Sequence, residues 1–384
     1  MSWKIALSDL DFGEAEENAA LEVIHRRWLT MGEITQQFEL EFAQLLSVRN
    51  AIAVTNATAG LHLACAASGI GVGDEVIVPS MTFVASANSV CYTGAKVRFA
   101  DIYGENDLCV SPVSIESRIN SHTKAIMVMH YAGYACNMPA ILEIAHKNHL
   151  VVIEDAAHAA GASLAGKPLG TWGAFGVFSF FSNKNLATGE GGMIVTDDDD
   201  AAQRLRLMRS HGMTSLTLDR YRGHAFSYDV IELGYNYRID EIRSAIGRVQ
   251  LGKLMRNNAR RRELSALYKL QIMENCPSIV IPFANHPGIT SAHIQPIILP
   301  RGCDRIQFMQ SMKEQGIQTS IHYPPVHRFS IYRNLDNHLP ETEDAAAREV
   351  TLPLYPSMSD EDIRYITSAV QYAFERASVV VLDN

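Results

Sequence analysis

Lys184 stands between Asn183 and Asn185, just past the apolar run Val177 to Phe181 and ahead of a glycine-rich turn (Gly189, Gly191, Gly192) that leads into Met193 to Thr196. Two strand-like runs therefore bracket one lysine. Burying an ammonium is costly unless it is paired or neutralised, whereas a desolvated amine with a lowered pKa attacks carbonyl carbons. The chemistry this offers is Schiff-base formation. Taken alone, Lys184 reads equally as an exposed loop lysine, so its neighbours in the fold must decide.

Asp155 closes the run LVVIED beside Glu154, which places a carboxylate at the carboxyl end of a strand. Such a group can hold a pyridine nitrogen protonated and so keep the ring electron-withdrawing; a helix cap is the plainer use. Thr58, in TNATAG, joins the strand AIAVT to an Ala-rich helix. A hydroxyl and free N–H groups at a helix N-terminus suit a phosphate, or serve simply as a cap. Ser179 offers a second hydroxyl five residues before Lys184. Phe83, after EVIVPS, offers a ring face for stacking or for core packing, and His158 lies three residues beyond Asp155. A phosphate cradle, a stacking ring, a carboxylate and a lysine together fit pyridoxal 5′-phosphate better than a dinucleotide. No GxGxxG follows the first strand, and no Walker pattern occurs.

The elements that must position these residues alternate. AIAVT, EVIVP, KVRFAD, KAIMVMH, LVVIED, FGVFSF and GMIVT read as apolar strands, separated by helical stretches such as Ala59 to Ala67 and Ala140 to Lys147. Continuous apolar strands with crossover helices predict an α/β fold with a mostly parallel sheet covered on both faces. Ligands gather at the carboxyl strand ends of such sheets. Ahead of them, Lys4 to Leu7 is a short apolar piece, and Glu14 to Trp28 and Ile34 to Leu46 read as helices. The acidic run Asp197 to Asp200 reads as a turn capping the next helix, and residues 213 to 238 read as a polar, Tyr-rich loop. A long helix is expected over Ile239 to Tyr268. Beyond it come a strand near His293 to Leu299, a helix Arg305 to Gln315, a strand Ile317 to His322 and a helix after Ser359.

The chain has 384 residues, is 47% hydrophobic and carries a net charge of −9, which is enough for roughly two cored domains and argues against a nucleic-acid surface. Six scattered cysteines lack metal-ligand spacing, so reduced thiols and no metal site are expected. The acidic N-terminal stretch has no signal-peptide core, and no apolar run reaches membrane-spanning length. A cytoplasmic protein with no membrane partner is expected.

The collinear series TNATAG, VPSMTFVAS, EDAAHAAGA, SFFSNKNLATGEGG, GYNYRIDEIRSAIGRVQL, HYPPVH and LPLYPSMSDEDI resembles the sugar aminotransferases of the DegT/DnrJ/EryC1/StrS family. The likeness spans about residues 5 to 375. It implies an aspartate-aminotransferase-like fold (fold type I), with a large cofactor domain over 1–250 and a smaller C-terminal α/β domain over 251–384. It implies a homodimer with composite active sites. By this resemblance Lys184 holds pyridoxal 5′-phosphate covalently and Asp155 pairs with its ring nitrogen. Ala57, Thr58 and Ser179 hold the phosphate, Phe83 stacks on the ring, and His158 reaches it where many members carry Gln. Asn236 reaches the phosphate of the neighbouring subunit. Arg238, His322, Tyr323 and His327 lie near substrate. Asn56, Ala57 and Thr58 replace the family's frequent SGT, leaving the threonine in place. Some relatives with histidine at the lysine position are dehydratases, and this chain keeps lysine.

The activity so implied is transfer of an amino group from an amino acid, L-glutamate first, to a nucleotide-linked keto-sugar. A keto-cyclitol acceptor, a non-catalytic cofactor-binding sensor and a lysine-dependent enzyme without transamination are the alternatives.

Overall fold

Seven apolar runs pair into one sheet because their alternate side chains are covered on both sides. In the computed structural model, which describes residues 3–215, 223, 227–333 and 338–378, these are β1 (Asn50–Val54), β2 (Glu75–Pro79), β3 (Lys96–Ala100), β6 (Thr123–Met129), β7 (Val151–Asp155), β10 (Phe175–Ser179) and β11 (Gly192–Thr196). Their order is β1-β11-β10-β7-β6-β2-β3. From β3 to β10 every pairing is parallel. Strand β11 runs antiparallel to both β10 and β1, so the chain reverses between Ser179 and Gly192, and Lys184 lies in that reversal. Two small hairpins, β4 (Ile102–Gly104) with β5 (Asp107–Val110) and β8 (Ser163–Leu164) with β9 (Lys167–Pro168), lie outside the main sheet.

Helices α1 (Glu14–Arg26) and α2 (Glu33–Leu46) precede the sheet, α3 (Ala57–Ala67), α4 (Ala85–Cys91), α5 (Pro112–Arg118) and α6 (Met138–Lys147) connect its strands, and α7 (Asp199–Arg209) follows its last strand in the chain. The strand alternation is plain in β1. Ile52 and Val54 pack with Leu61 and Leu63 of α3, while Ala51 and Ala53 turn to the opposite face with Phe38 and Phe42 of α2.

Helix α8 (Glu241–Asn275) is one unbroken rod of 35 residues. Its start is fixed by Asp240, whose carboxylate accepts from the Arg243 amide at 2.9 Å. Glu241 ties the rod to α2 by accepting from the Gly32 amide at 2.8 Å and the Thr35 amide at 2.9 Å. The expected helix thus begins two residues later than Ile239 and continues past Tyr268, because Leu264, Tyr268 and Ile272 keep one face buried. The expected division at 250/251 falls inside this helix. Beyond it, β12 (Gln295–Ile298) pairs antiparallel with β13 (Glu349–Leu352). Helices α9 (Arg305–Glu314), α10 (Pro340–Arg348) and α11 (Asp360–Ser378) complete this part, whose core joins Ile5, Leu264, Phe308, Ile363 and Val370.

The expected strand Ile317 to His322 is a correction. Among the described residues it makes only single bridges, Ile317 to Ile5 and Ser320 to Thr351. Lacking a continuous neighbour, the segment satisfies its backbone piecemeal, and β13 takes the place beside β12. Among the described residues, no helix is long and apolar enough to cross a membrane.

Candidate active site

Asp155 is the last residue of β7 and only 4% exposed. Ser86 of α4 donates to its Oδ2 at 2.7 Å and the Ala157 amide to its Oδ1 at 3.1 Å. Burial pushes this carboxyl up; the two hydrogen bonds and the nearby Lys184 amine pull the other way. A carboxylate with two donors retains capacity for a further cationic N–H.

Lys184 is half-buried in the reversal after β10, where its amide donates to the Phe181 carbonyl at 2.8 Å. Burial brings its amine down to about 8, with Asp155 working against the shift. At neutral pH roughly a tenth of such an amine is unprotonated, against far less for an ordinary lysine. Its Nζ lies 3.4 Å from Nε2 of His293. From there the contacts run on in sequence: the His293 ring is 4.2 Å from the His158 ring, His158 Nε2 lies 2.9 Å from the Tyr323 hydroxyl, and the Tyr323 ring is 6.0 Å from Phe83. Burial holds both His158 and His293 well below the usual histidine range, so they stand as neutral rings beside the lysine. Phe83 itself is 56% exposed.

The start of α3 meets this cluster's neighbour strands. Asn56, not Thr58, caps the helix, its Oδ1 accepting from the Ala59 amide at 2.8 Å. That leaves Ala57 and Thr58 at the first turn, where N–H groups lack intrahelical partners. Gly192 makes room for them, since a Cβ there would lie 2.8 Å from the Ala57 amide nitrogen. In the β10–β11 register Gly192 faces Ser179, so Ala57, Thr58 and Ser179 converge.

A pyridoxal phosphate fits what is here. The donor set supplies a phosphate end, a carboxylate and an amine, and two buried polar atoms, His158 Nδ1 and Asn183 Oδ1, have no partner among the described residues.

The remaining expected residues divide. His322 is held by its amide, which donates to Glu349 Oε2 at 2.8 Å, and by Nδ1, 2.8 Å from Thr351 Oγ1. Burial and the Lys184 amine bring its ring down to about 4. Tyr131 donates its hydroxyl to the His322 carbonyl. His327 is buried with both ring nitrogens engaged, Nδ1 with Ser80 Oγ at 2.6 Å and Nε2 with Glu343 at 3.0 Å; it clamps the wall rather than facing the lysine. Asn236 is exposed in a bridge with Ser210, and Arg238 is half-buried two residues beyond it. Of the polar, Tyr-rich loop expected over 213 to 238, most of residues 214 to 228 lie outside the described residues.

Sequence reasoning missed His293, Ser86 and Glu349. Nothing local marks them: His293 precedes β12, 109 residues from the lysine it touches.

A sequence model of the DegT/DnrJ/EryC1/StrS aminotransferase family matches residues 11–371. The spore coat polysaccharide biosynthesis protein SpsC of Bacillus subtilis (strain 168) is 36% identical over 368 residues, spanning 94% of each chain. Among solved structures, the chain is similar to DesI in the presence of its TDP-sugar product (28% identity, TM-score 0.88, 99% of this chain and 95% of that one). It is also similar to the putative sugar aminotransferase Spr1654 from Streptococcus pneumoniae in its PMP form (25% identity, TM-score 0.90, 97% and 99%).

Proposed function

The chain belongs to the DegT/DnrJ/EryC1/StrS aminotransferase family, and on that premise we propose a pyridoxal-phosphate-dependent transaminase that moves an amino group from L-glutamate to a nucleotide-linked keto-deoxysugar in amino-sugar biosynthesis. The observation that carries this reading is the Lys184 amine, brought down to about 8 beside the buried Asp155. The TDP-sugar named with DesI and the polysaccharide named with SpsC support a sugar acceptor.

The chemistry that pyridoxal phosphate supplies when bound is an aldehyde that takes up an amino group and a ring that draws electrons from it. The chain's own residues divide the remaining work. Ala57 and Thr58 at the α3 N-terminus, with the Ser179 hydroxyl, bind the phosphate. Asp155, left with spare acceptor capacity, holds the ring N–H and keeps it protonated. Phe83 and His158 confine the ring, and Asn236 from a second copy closes the phosphate pocket in a homodimer. The Lys184 amine moves a proton between the donor's α-carbon and the carbon that receives it, acting as base and then as acid near its own pKa. His322 and Tyr323 border the substrate space, with Arg238 reserved for the acceptor. His327 positions that segment through Ser80 and Glu343.

The test is the visible absorbance of the purified chain with pyridoxal phosphate, before and after L-glutamate, beside Lys184→Ala. A band that glutamate bleaches in the wild type and that Lys184→Ala never develops is expected. A band unmoved by every amino donor would sink the transaminase reading. Turnover of inosose with none of nucleotide-sugars would move the acceptor to a cyclitol.

A further inference from the structure

The contact that ends on Lys184 begins in a chain of side-chain amides whose orientation is fixed. Asn258 of α8 donates Nδ2 to the Ala160 carbonyl at 2.8 Å, which turns its Oδ1 toward Asn185. Asn185 donates Nδ2 both to that Oδ1 at 2.7 Å and to the Ser291 carbonyl at 2.8 Å. The Asn185 Oδ1 therefore has to be the atom 2.8 Å from His293 Nδ1. An amide oxygen only accepts, so Nδ1 carries the ring proton and Nε2 presents a lone pair. That lone pair faces the Lys184 Nζ at 3.4 Å. Arg261 fixes the backbone of the same residue, donating Nη1 to the His293 carbonyl at 3.3 Å and to the Leu354 carbonyl at 2.7 Å.

We propose that His293 is a positioning residue: its Nε2, locked as an acceptor by Asn185, holds one N–H of the Lys184 amine and aims the nitrogen's remaining valences at the reacting carbon. The proposal rests on the transaminase reading for its reaction and on geometry alone for the contact. The groups facing the pair are Asp155, His158 and His322 around the lysine, and His158, His322 and Arg261 around the histidine. His158 packs on the His293 ring and Arg261 is a fixed cation beside it, so protonating His293 is disfavoured and the mobile proton stays on Lys184. A distance at the long end of hydrogen bonding suits an amine that has to let go during each cycle.

An acceptor stabilises an ammonium more than a neutral amine, so removing it lowers the lysine's pKa further. The experiment measures acetylation of Lys184 by acetic anhydride against pH in the cofactor-free chain, read on the lysine's peptide by mass spectrometry. Three variants accompany the wild type. His293→Phe fills the space without an acceptor, His293→Asn keeps the Asn185 contact but is too short to reach the lysine, and His293→Gln reaches the lysine with an amide oxygen.

The expected wild-type midpoint is about 8, falling by roughly one pH unit in the Phe and Asn variants and staying within a few tenths in the Gln variant. In the glutamate half-reaction, kcat is expected to fall about tenfold or more in Phe and Asn with KM little changed, and Gln to recover most of the loss. A wild-type midpoint in His293→Asn, or in His293→Phe where that chain folds, overturns the proposal. A shifted midpoint with no turnover in any chain, wild type included, upholds the contact and fails the transaminase reading instead.

Discussion

Glu154 and Asp155 are adjacent on one strand, yet they face opposite sides of the sheet and live differently. Glu154 is fully buried and saturated. Its Oε1 accepts from the Trp172 amide at 2.6 Å and the Gly173 amide at 2.7 Å, its Oε2 from the Gly170 amide at 2.8 Å and His130 Nε2 at 2.8 Å. The Cys136 amide points at His130 Nδ1 from 3.2 Å, so that nitrogen accepts and the His130 proton sits at Nε2. Among the described residues, Asp155 accepts from only Ser86 and Ala157. A carboxylate whose lone pairs are all taken organises a loop; one left short of donors keeps a place for something else. Both look alike in the string LVVIED.

The largest effect expected from this contrast is on Glu154. Glu154→Ala strands a buried amide, two part-buried amides and a buried histidine N–H, at about 1–3 kcal/mol for each fully buried group and less for the others, so a loss of roughly 4 kcal/mol is expected in urea unfolding. A variant within 1 kcal/mol of wild type, on the scale of a single surface change, would erase the distinction. Next comes Asp155→Asn, expected to cut transamination by about 10²–10³-fold, the scale for an electrostatic group at the reacting centre, with Tm unchanged or higher because a buried charge is removed. Loss of folding there would make Asp155 a second Glu154.

Glu349 sharpens the comparison from a third position. Buried, it accepts from Thr351 Oγ1 at 2.6 Å and the His322 amide at 2.8 Å, and burial raises its carboxyl to about 8 despite them. The unfolded chain loses this proton first, near the ordinary value of 4.5. Stability therefore drains as pH rises from that value toward 8 and levels beyond. Glu349→Gln is expected to remove the drain, giving a Tm advantage over wild type that is absent at pH 4, grows with pH and is worth on the order of 1 kcal/mol or more at pH 8. An equal advantage at both ends would assign the effect to packing. The smallest expected effect is Ser86→Ala, which deletes one of the two donors to Asp155; a loss of less than about tenfold in kcat is expected, with the cofactor's visible band shifted toward its unprotonated-ring form.

The same contrast explains what could be read before any fold was known. All seven sheet strands were legible because each is a short apolar run, and Lys184, Asp155, Ser179 and the TNATAG turn were legible because they stand at the ends of those runs. Ile317 to His322 differs from them: Ile317, Thr319 and Ile321 alternate as a strand's residues do, but the segment has no continuous partner among the described residues. The TNATAG turn offers both a threonine and an asparagine as the cap, and the cap sits at Asn56, since both residue types serve and only the backbone chooses. His293 and Glu349 were invisible, because their partners are distant in the chain and apolar pattern says nothing about a polar side chain's company. His327 stood out by its motif and is occupied in the wall.

Helix α8 sets a length standard for the chemistry it never touches. Asn258 begins the amide relay to Asn185, and Arg261 grips the carbonyl of His293, so the two ends of the lysine's immediate company are gauged from marks three residues apart on one rod. One residue inserted between those marks would swing the second by about 100° around the axis and advance it by about 1.5 Å, mis-setting the histidine against the lysine while leaving every atom of both intact. The tolerance of the reaction centre is thus written in the count between two helix residues, and drift in that count is the kind of change this enzyme can least absorb.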